Sequence, residues 1–372
     1  MNGVLPAVTW GTWDDFVAPC GDAEAHASGT STANTPDAIG KSERSQKKLE
    51  RKGLRAPKQS QLWFEEVLDR VDATPFGQQH SGYHCNPLHC LHEETQRTGT
   101  EVIPWESLPE GIHPRDGKLP PERIRKKRHQ VENLAVFLQR LLRPGDVVVE
   151  FCAGSGYVAL PLACMFHDCT FVILDKKEPS LAIAEERIAA AKLTNVEVFC
   201  GFIDDYNKRF DVGIALHACG EATDMVMQKC LESDAAFVLA PCCVGKIKLS
   251  ALSYPRSQTL EEVVARNEYE VLARAADFGH TNDAVMSRTP VNLRRRRCKT
   301  LLESDRNMRA VEAGYTTFKF VMHPHDATPK NDVLVGLPPV DTTGEPKQRT
   351  LRLECTRALS HEETYRAIFG AP

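Results

Sequence analysis

The sequence predicts an α/β protein with a seven-stranded, mostly parallel β-sheet that ends in a C-terminal antiparallel hairpin. From residue 147 to residue 241, short apolar runs alternate with helical stretches, and strands that alternate with helices form parallel sheets covered on both faces. Two later apolar runs, "YTTFKFVMHP" and "NDVLVGLP", have no helix between them, which predicts the hairpin. A glycine-containing turn directly after the first apolar run indicates a ligand-binding loop.

The helix before the sheet is expected within residues 120–146. Val131, Leu134 and Leu138 recur there at helical spacing, and a Pro-Gly pair ends the run. The predicted strands that follow cover residues 147–151, 170–175, 196–201, 210–216 and 235–241. The predicted helices between them cover residues 156–167, 178–193 and 223–233, and a longer helical stretch covers residues 258–276.

Composition divides the chain into four segments. Residues 1–45 are rich in Gly, Ala, Ser, Thr and Pro without periodicity, which predicts disorder. Residues 46–120 are expected to form an N-terminal extension, with a helix followed by an irregular segment that contains His and Cys. Residues 121–340 form the predicted α/β domain, and residues 341–372 form a tail with a short helix.

The composition favours a globular protein inside the cell, with 42% hydrophobic residues, 26% charged residues and a formal net charge of −4. No apolar run is long enough to cross a bilayer, and the N-terminus has no apolar signal core. Thirteen scattered cysteines are expected to be reduced thiols. We therefore expect a cytoplasmic protein without a membrane partner, with the nucleus and the mitochondrial matrix as alternatives. The oligomeric state stays open.

Three basic clusters stand out on this slightly acidic chain, at residues 41–58, 122–129 and 294–299. Local positive charge favours an anionic partner, and we expect RNA or a ribonucleoprotein. The alternative for each cluster is a solvated helix face or tail. The predicted nucleic-acid contacts are Arg123, Arg125, Lys126, Lys127, Arg128, Arg294, Arg295, Arg296 and Arg297.

The turn after the first strand has the sequence "EFCAGSGYVA". Gly154, Gly156 and Ala159 fit the fingerprint of dinucleotide-binding folds. Glu150, however, lies just before this turn, and its carboxylate would repel a pyrophosphate. S-adenosylmethionine carries a cationic ammonium and sulfonium, which an acid at this position suits. A second acid, Asp175, ends the next strand, and the two acids flanking a glycine turn are the arrangement of a Rossmann-like class I S-adenosylmethionine-dependent methyltransferase.

In this interpretation the glycine backbone approaches the methionine part of the donor, and Asp175 accepts hydrogen bonds from the ribose hydroxyls. Either Asp204 or Asp205 lies near the adenine amino group. The alternative for each acid is a helix cap or a surface carboxylate. The predicted cofactor-binding residues are Glu150, Cys152, Ala153, Gly154, Gly156, Asp175, Lys176, Asp204, Asp205, Leu216 and His217.

Four segments of the chain resemble the methyltransferase domain of the glutathione S-transferase C-terminal-domain-containing protein family: "VVEFCAGSGYVALPLA", "ALHACGEATDMVMQKCLESDAAFVLAPCCVG", "AVEAGY" and "PKNDVLVGLP". The pieces "LHACGEATD" and "PCC" are similar, more distantly, to tRNA 2'-O-methyltransferases of the Trm-thirteen type. The resemblance covers residues 120–340 and implies an S-adenosylmethionine fold. The first 120 residues do not resemble a glutathione transferase domain.

The turns "HACG" and "PCC" end two strands that are neighbours in the predicted sheet, so they are expected beside the transferable methyl group. The predicted substrate pocket consists of Cys219, Gly220, Pro241, Cys242 and Cys243. Three interpretations stay open: His217 as a general base, a site of one His and three Cys for zinc, and cysteines that only pack. Adjacent strand-end residues tend to point in opposite directions, which disfavours zinc. No metal is predicted, and His217 is the candidate catalytic residue.

The segment "HSGYHCNPLHCLHEE" holds six further His and Cys residues: His80, His84, Cys85, His89, Cys90 and His92. It lacks the paired spacing of a zinc finger, which favours an ordinary loop over a metal site.

The sequence therefore predicts an S-adenosylmethionine-dependent methyltransferase whose substrate is RNA, either tRNA or rRNA. One alternative is a methyltransferase fold without activity that serves as a binding or ribonucleoprotein assembly factor. Another is a methyltransferase that acts on protein or a small molecule.

Overall fold

The computed structural model describes residues 59–79, 82–89, 101–117, 119–244, 247, 250, 252–277, 288–339 and 357–370. The predicted disordered segment 1–45 and most of the predicted tail before residue 357 lie outside these residues. None of the described helices is both long and apolar enough to span a bilayer.

Seven strands form one sheet in the order β3-β2-β1-β4-β5-β7-β6. The first five run parallel to one another, and β7 is antiparallel to both of its neighbours. This confirms the predicted parallel sheet with a C-terminal antiparallel edge. The strands are β1 (Val147–Phe151), β2 (Thr170–Asp175), β3 (Val196–Cys200), β4 (Val212–Leu216), β5 (Ala236–Ala240), β6 (Thr316–Val321) and β7 (Asp332–Leu337).

Ten α-helices are present in the described residues, together with short 3-10 turns at Trp105–Ser107, Pro114–Gly117, Ile203–Asp205 and His325–Ala327. The helices are α1 (Gln59–Asp72), α2 (Pro75–Gln79), α3 (Pro121–Leu141), α4 (Ala159–Met165), α5 (Glu178–Ala191), α6 (Ala222–Glu232), α7 (Gln258–Glu261), α8 (Arg266–Ala276), α9 (Pro290–Glu312) and α10 (His361–Phe369). The helical stretch predicted over 258–276 is divided into α7 and α8.

Apolar residues on both faces of the central strands build the core. Along β4, Ile214 packs with α3, α4 and α5 on one face of the sheet. Its neighbour Ala215 packs with α6 on the other face, because successive strand residues point to opposite sides. The buried apolar runs of the sequence thus correspond to strands covered by helices on both sides.

The basic run "RRRRCK" belongs to α9, a 23-residue helix that the sequence analysis did not predict. Arg296 is buried and pairs with Asp332 of β7, with Nη1 2.7 Å from Oδ2. Arg297 is buried and pairs with Asp72 of α1 at 2.6 Å. The predicted nucleic-acid contacts at Arg296 and Arg297 are therefore corrected: both guanidinium groups are inside the protein and bind carboxylates of other elements.

The direction of strand progression changes between β1 and β4, since β2 and β3 lie on one side of β1 and β4 and β5 lie on the other. In open α/β sheets the crevice at such a switch point, outside the carboxyl ends of the strands, is the usual ligand site. The loops that begin at Cys152 and His217 lie at this point.

Candidate active site

The loop after β1 turns sharply at three residues with positive φ: Cys152 at 55°, Gly154 at 57° and Gly156 at 72°. A β-carbon added to Gly154 would meet no atom within 4 Å, so open space lies above this residue. A β-carbon on Gly156 would lie 2.6 Å from the side chain of Ile173. The two glycines thus serve different purposes, since Gly154 leaves room for a ligand and Gly156 lets the loop pack on β2.

Asp175, at the end of β2, is fixed against the glycine loop. Its Oδ2 accepts a hydrogen bond of 2.8 Å from the backbone N–H of Gly154, and its Oδ1 accepts one of 2.9 Å from Lys177. An ionised carboxylate has about four acceptor sites, so acceptor capacity is left for ribose hydroxyls. The structure places Asp175 and Gly154 together, as a donor-binding loop requires.

Glu150 is buried at the end of β1, directly below the loop. Its Oε2 accepts a hydrogen bond of 2.7 Å from the backbone N–H of Ala159, the first residue of α4. Burial raises the pKa of this carboxyl to about 7, while hydrogen bonds from Ala159 and Val158 and the charge of Lys127 act in the opposite direction. Glu150 thus caps the first turn of α4, which was the alternative to cofactor binding for this acid. A further cation near the carboxyl would favour its ionised form.

Two cations, Lys127 and Arg187, act on this carboxyl through their charge, and neither was predicted to lie on the donor side. Lys127 of α3 lies with Nζ 5.4 Å from the centre of the Tyr157 ring, and Arg187 of α5 lies 4.5 Å from the same ring. Arg187 also donates hydrogen bonds to the carbonyl oxygens of Ser155, Gly111 and Ile112. Arg187 therefore ties the segment before α3 to the glycine loop.

The loop after β3 forms the outer rim of the site. Asp205 accepts a hydrogen bond of 2.8 Å from the backbone N–H of Phe202 and so stabilises its own turn. Asp204 and Lys176 are exposed. Phe202 is 61% exposed, and Nζ of Lys176 lies 5.7 Å from its ring centre. An exposed aromatic ring at this position offers a flat apolar surface for a nucleobase, and no pattern in the sequence marks it.

His217 follows β4 with φ 68°, which is uncommon for a residue with a side chain. Its Nε2 lies 3.0 Å from Oε1 of Gln130 in α3. The Nε2 atom of Gln130 donates to the carbonyl of Ala327, so its Oε1 is the acceptor and the ring Nε2 carries the hydrogen. Burial and, as a smaller contribution, the charge of Lys127 lower the pKa of His217 to about 4. The imidazole is therefore neutral at pH 7, and Nδ1 is its proton acceptor.

The turns after β4 and β5 are joined to each other by backbone hydrogen bonds. The N–H of His217 donates to Ala240, and the N–H of Gly220 donates to Cys243. The Sγ atom of Cys219 lies 3.0 Å from that of Cys242, which is 3.9 Å from that of Cys243. The expectation that the two adjacent cysteines point apart is wrong, because they lie in an irregular turn beyond the strand, where the alternation of strand side chains no longer holds.

The other residues of the two predicted turns lie in the same region. Leu216 and Pro241 are buried at the ends of β4 and β5, and Gly220 adopts φ 61°. Hydrogen bonds from the thiols of Cys242 and Cys219 lower the pKa of the Cys243 thiol. Thus the predicted substrate-pocket residues are brought together in the structure.

The six His and Cys residues at positions 80–92 are only partly described. His84 contacts the rings of Phe318 and Phe320, and His89 contacts the ring of His323. Among the described residues, His84, Cys85 and His89 do not form a group that could hold a metal ion. His80, Cys90 and His92 lie outside the described residues.

The residues at the carboxyl ends of β1, β2 and β3 fit S-adenosylmethionine. The space above Gly154 admits the methionine part, and Asp175 offers acceptors for the ribose. Phe202 offers an apolar surface for the adenine. Glu150 and Asp175 supply the negative charge that a sulfonium donor favours.

Comparison with known proteins agrees with this assignment. Residues 126–250 match the family model described as a methyltransferase domain. Over 239 residues the chain is 38% identical to the glutathione S-transferase C-terminal domain-containing protein homolog of Drosophila pseudoobscura pseudoobscura, covering 64% of this chain and 41% of that protein. The human protein of that name is 34% identical over 240 residues, covering 64% of this chain and 37% of the human protein. The chain thus spans about two fifths of the length of these relatives.

A shorter match involves the ribosomal RNA small subunit methyltransferase G of Cytophaga hutchinsonii, which is 24% identical over 84 residues, covering 23% of this chain and 41% of that protein. Among solved structures, the fibrillarin pre-rRNA processing protein of Methanococcus jannaschii has a TM-score of 0.35 and 9% identity, and the match covers 56% of this chain and 75% of that one. Structural similarity at this level supports no inference about activity. The family-model match and the site show that the chain carries a class I methyltransferase domain with S-adenosylmethionine as its cofactor, and the chain is similar in sequence to part of the glutathione S-transferase C-terminal domain-containing proteins.

Proposed function

We propose that the protein is an S-adenosylmethionine-dependent methyltransferase that methylates RNA. The observation that carries the proposal is the position of the basic first turns of α3. Residues 122–128 hold five basic residues and one acidic residue. Two residues further along the same helix, Gln130 is hydrogen-bonded to His217 at the end of β4. The basic turns of α3 therefore lie beside the donor site.

The basic turns of α3 offer charges that a phosphate backbone can use. Arg123 and Arg125 are exposed. Arg125 pairs with Glu122 and with Asp326, both at 2.8 Å. Exposed ion pairs of this kind contribute little to stability, so a phosphate can replace the carboxylates around Arg125. Phosphate contacts of this kind position a nucleic acid without reading its sequence.

The cofactor supplies an electrophilic methyl group, and the chain's residues then have two tasks. Asp175 and the glycine loop orient the donor. His217, neutral and held by Gln130, presents Nδ1 as the acceptor for a proton that an attacking hydroxyl or amine must lose. The neutral ring is available over the whole physiological pH range, because its pKa is about 4.

The clusters at 122–128 and 294–297 make different contributions to this proposal. Of these two clusters, the one on α3 lies beside the site, whereas Arg296 binds the buried carboxylate of Asp332 and Arg297 binds the half-buried carboxylate of Asp72. The relative from Cytophaga hutchinsonii, named as a ribosomal RNA methyltransferase, supports RNA as the substrate class.

The test is transfer of labelled methyl from S-adenosylmethionine into total cellular RNA, protein and small molecules, measured for each fraction. We expect label in RNA, and we expect the double variant Arg123→Glu, Arg125→Glu to reduce it at least about tenfold without changing donor affinity. Lys208→Glu, an exposed charge reversal beside Glu197, is the matched control and should keep full activity. Label confined to protein or small molecules would overturn the RNA substrate. Donor binding without label in any fraction would favour a binding or assembly factor.

A further inference from the structure

Three thiols converge where the turns after β4 and β5 meet. The Sγ atoms of Cys219, Cys242 and Cys243 all lie within 4.8 Å of one another. Within the part of the chain that the structure describes, this is the only group of three or more His, Cys, Asp or Glu side chains with such spacing. The methyl-donor chemistry proposed above does not use these thiols.

We propose that Cys219, Cys242 and Cys243 together bind one zinc ion at the rim of the donor site. Zinc–thiolate bonds are about 2.3 Å long, so tetrahedral thiolates lie about 3.8 Å apart. The distance between the Sγ atoms of Cys242 and Cys243 is 3.9 Å, and that between Cys219 and Cys242 is 3.0 Å. The Cys242–Cys243 separation already matches this spacing, and the Cys219–Cys242 separation has to lengthen by about 0.8 Å to reach it.

The backbone holds these ligands in place before any ion binds. The N–H of Gly220 donates to the carbonyl of Cys243 and links the two turns. The carbonyl of Gly220 in turn accepts a hydrogen bond of 3.2 Å from Arg306 of α9. The hydroxyl of Thr223 donates to the carbonyl of Ala218 at 2.6 Å. Ligands fixed by such a supporting network need little reorganisation when they bind a metal.

The ligand set determines the kind of ion and its coordination. Thiolates select zinc and other thiophilic ions over magnesium or calcium. Three protein ligands leave the fourth position of a tetrahedral zinc ion open, which is the pattern of sites that bind water or substrate and not of closed structural sites. Cys219 is exposed, so this position is accessible from the solvent side, next to His217.

A disulfide between Cys219 and Cys242 is the competing explanation for their short separation. Forming it would require an external oxidant that takes up two electrons and two protons. It would also leave the position of Cys243 unexplained, whereas a metal site uses all three thiols. The convergence of three sulfurs, and not two, therefore favours zinc.

The test is the zinc content of the full chain purified in the presence of a non-thiol reductant, measured by elemental mass spectrometry. We expect about one zinc per chain in the wild type. The double variant Cys219→Ser, Cys242→Ser should fall to less than one tenth of that value. Cys200→Ser, an exposed cysteine outside the group, is the matched control and should retain zinc. Zinc that is retained by the double variant, or absent from the wild type, would overturn the proposal.

A second measurement uses the wild type alone, so it does not depend on folding of the variants. Cobalt added to the zinc-depleted chain should give the near-ultraviolet charge-transfer band of thiolate ligation. Absence of this band, or a Cys219–Cys242 cross-link detected by peptide mass spectrometry after purification without reductant, would contradict the metal site. Asp175→Ala separates this proposal from the proposed function, because it should weaken donor binding and keep zinc.

Discussion

The Nε2 atom of His217, at the end of β4, lies 3.0 Å from the Oε1 atom of Gln130 in α3. A residue of the helix that precedes the sheet thus sets the orientation and tautomer of the candidate catalytic side chain. The same helix carries Lys127, whose charge helps to keep the imidazole neutral. The helix α3 is therefore part of the site and not only a cover for the sheet.

Replacing Gln130 with Glu should raise the pKa of His217 from about 4 by about one to three units, because a carboxylate at hydrogen-bond distance stabilises the imidazolium. A general base acts only when neutral, so the acid side of the pH–rate profile should move to higher pH by the same amount. Donor affinity should not change. Histidine NMR titration and methyl transfer between pH 4 and pH 8 measure both effects. An unchanged profile would show that His217 is not the base.

Replacing Glu150 with Gln should change how stability depends on pH. In the folded protein the pKa of Glu150 is raised from 4.5 to about 7 by burial, so between these values the folded state binds more protons than the unfolded state. Stability therefore falls as pH rises through this window, by up to about 3 kcal/mol. The variant lacks this loss, and its stability relative to wild type should increase from pH 4.5 to pH 8. Urea unfolding at several pH values measures it; a constant difference would contradict the prediction.

Replacing Phe202 with Ala should weaken binding of S-adenosylmethionine about tenfold, since an aromatic surface under a nucleobase contributes on the order of 1–3 kcal/mol. Ile183 on α5 is also exposed, at 50%, and Ile183→Ala is the matched control. Calorimetric titration of both variants with S-adenosylmethionine gives the comparison. Equal affinities for the two variants would exclude Phe202 from the adenine site.

Replacing Asp224 with Ala should lower the free energy of unfolding by about 3–5 kcal/mol, because it leaves the buried Arg306 without its main counter-charge. Asp224 accepts two hydrogen bonds of 2.9 Å from this guanidinium. Glu362→Ala is the control, since Glu362 pairs with Arg366 at the surface and exposed pairs contribute less than about 1 kcal/mol. Denaturant unfolding measures both changes, and similar losses for the two variants would contradict the structural role of the buried pair.

The sheet could be predicted from the sequence because its strands are buried on both faces and appear as uninterrupted apolar runs. Helix α9 could not be predicted in this way. Its buried face contains Arg296, Lys299, Glu303 and Arg306, so it shows no apolar stripe. These charges are compensated by partners far away in the sequence, such as Asp332 and Asp224, and only the fold brings them together.

The residues predicted to bind the methyl donor could be located in the sequence, because the glycine loop directly follows β1 and Asp175 is the last residue of β2. The residues around His217 were not, because Gln130 and Lys127 come from a helix nearly ninety positions earlier in the chain. No local pattern marks them. The sequence predicted that the three cysteines lie in one pocket, but it disfavoured one ion shared by Cys242 and Cys243, because side-chain alternation was assumed to continue beyond the end of β5.

Calorimetric titration of the wild type and of Asp175→Ala with S-adenosylmethionine decides whether Asp175 and the glycine loop bind the methyl donor. We predict measurable binding to the wild type and at least about tenfold weaker binding to Asp175→Ala, equivalent to about 1.4 kcal/mol. The variant Glu185→Ala, which removes an exposed acid of α5, should bind like the wild type. No measurable binding to the wild type, or equal binding to Asp175→Ala, would exclude Asp175 and the glycine loop as the donor site.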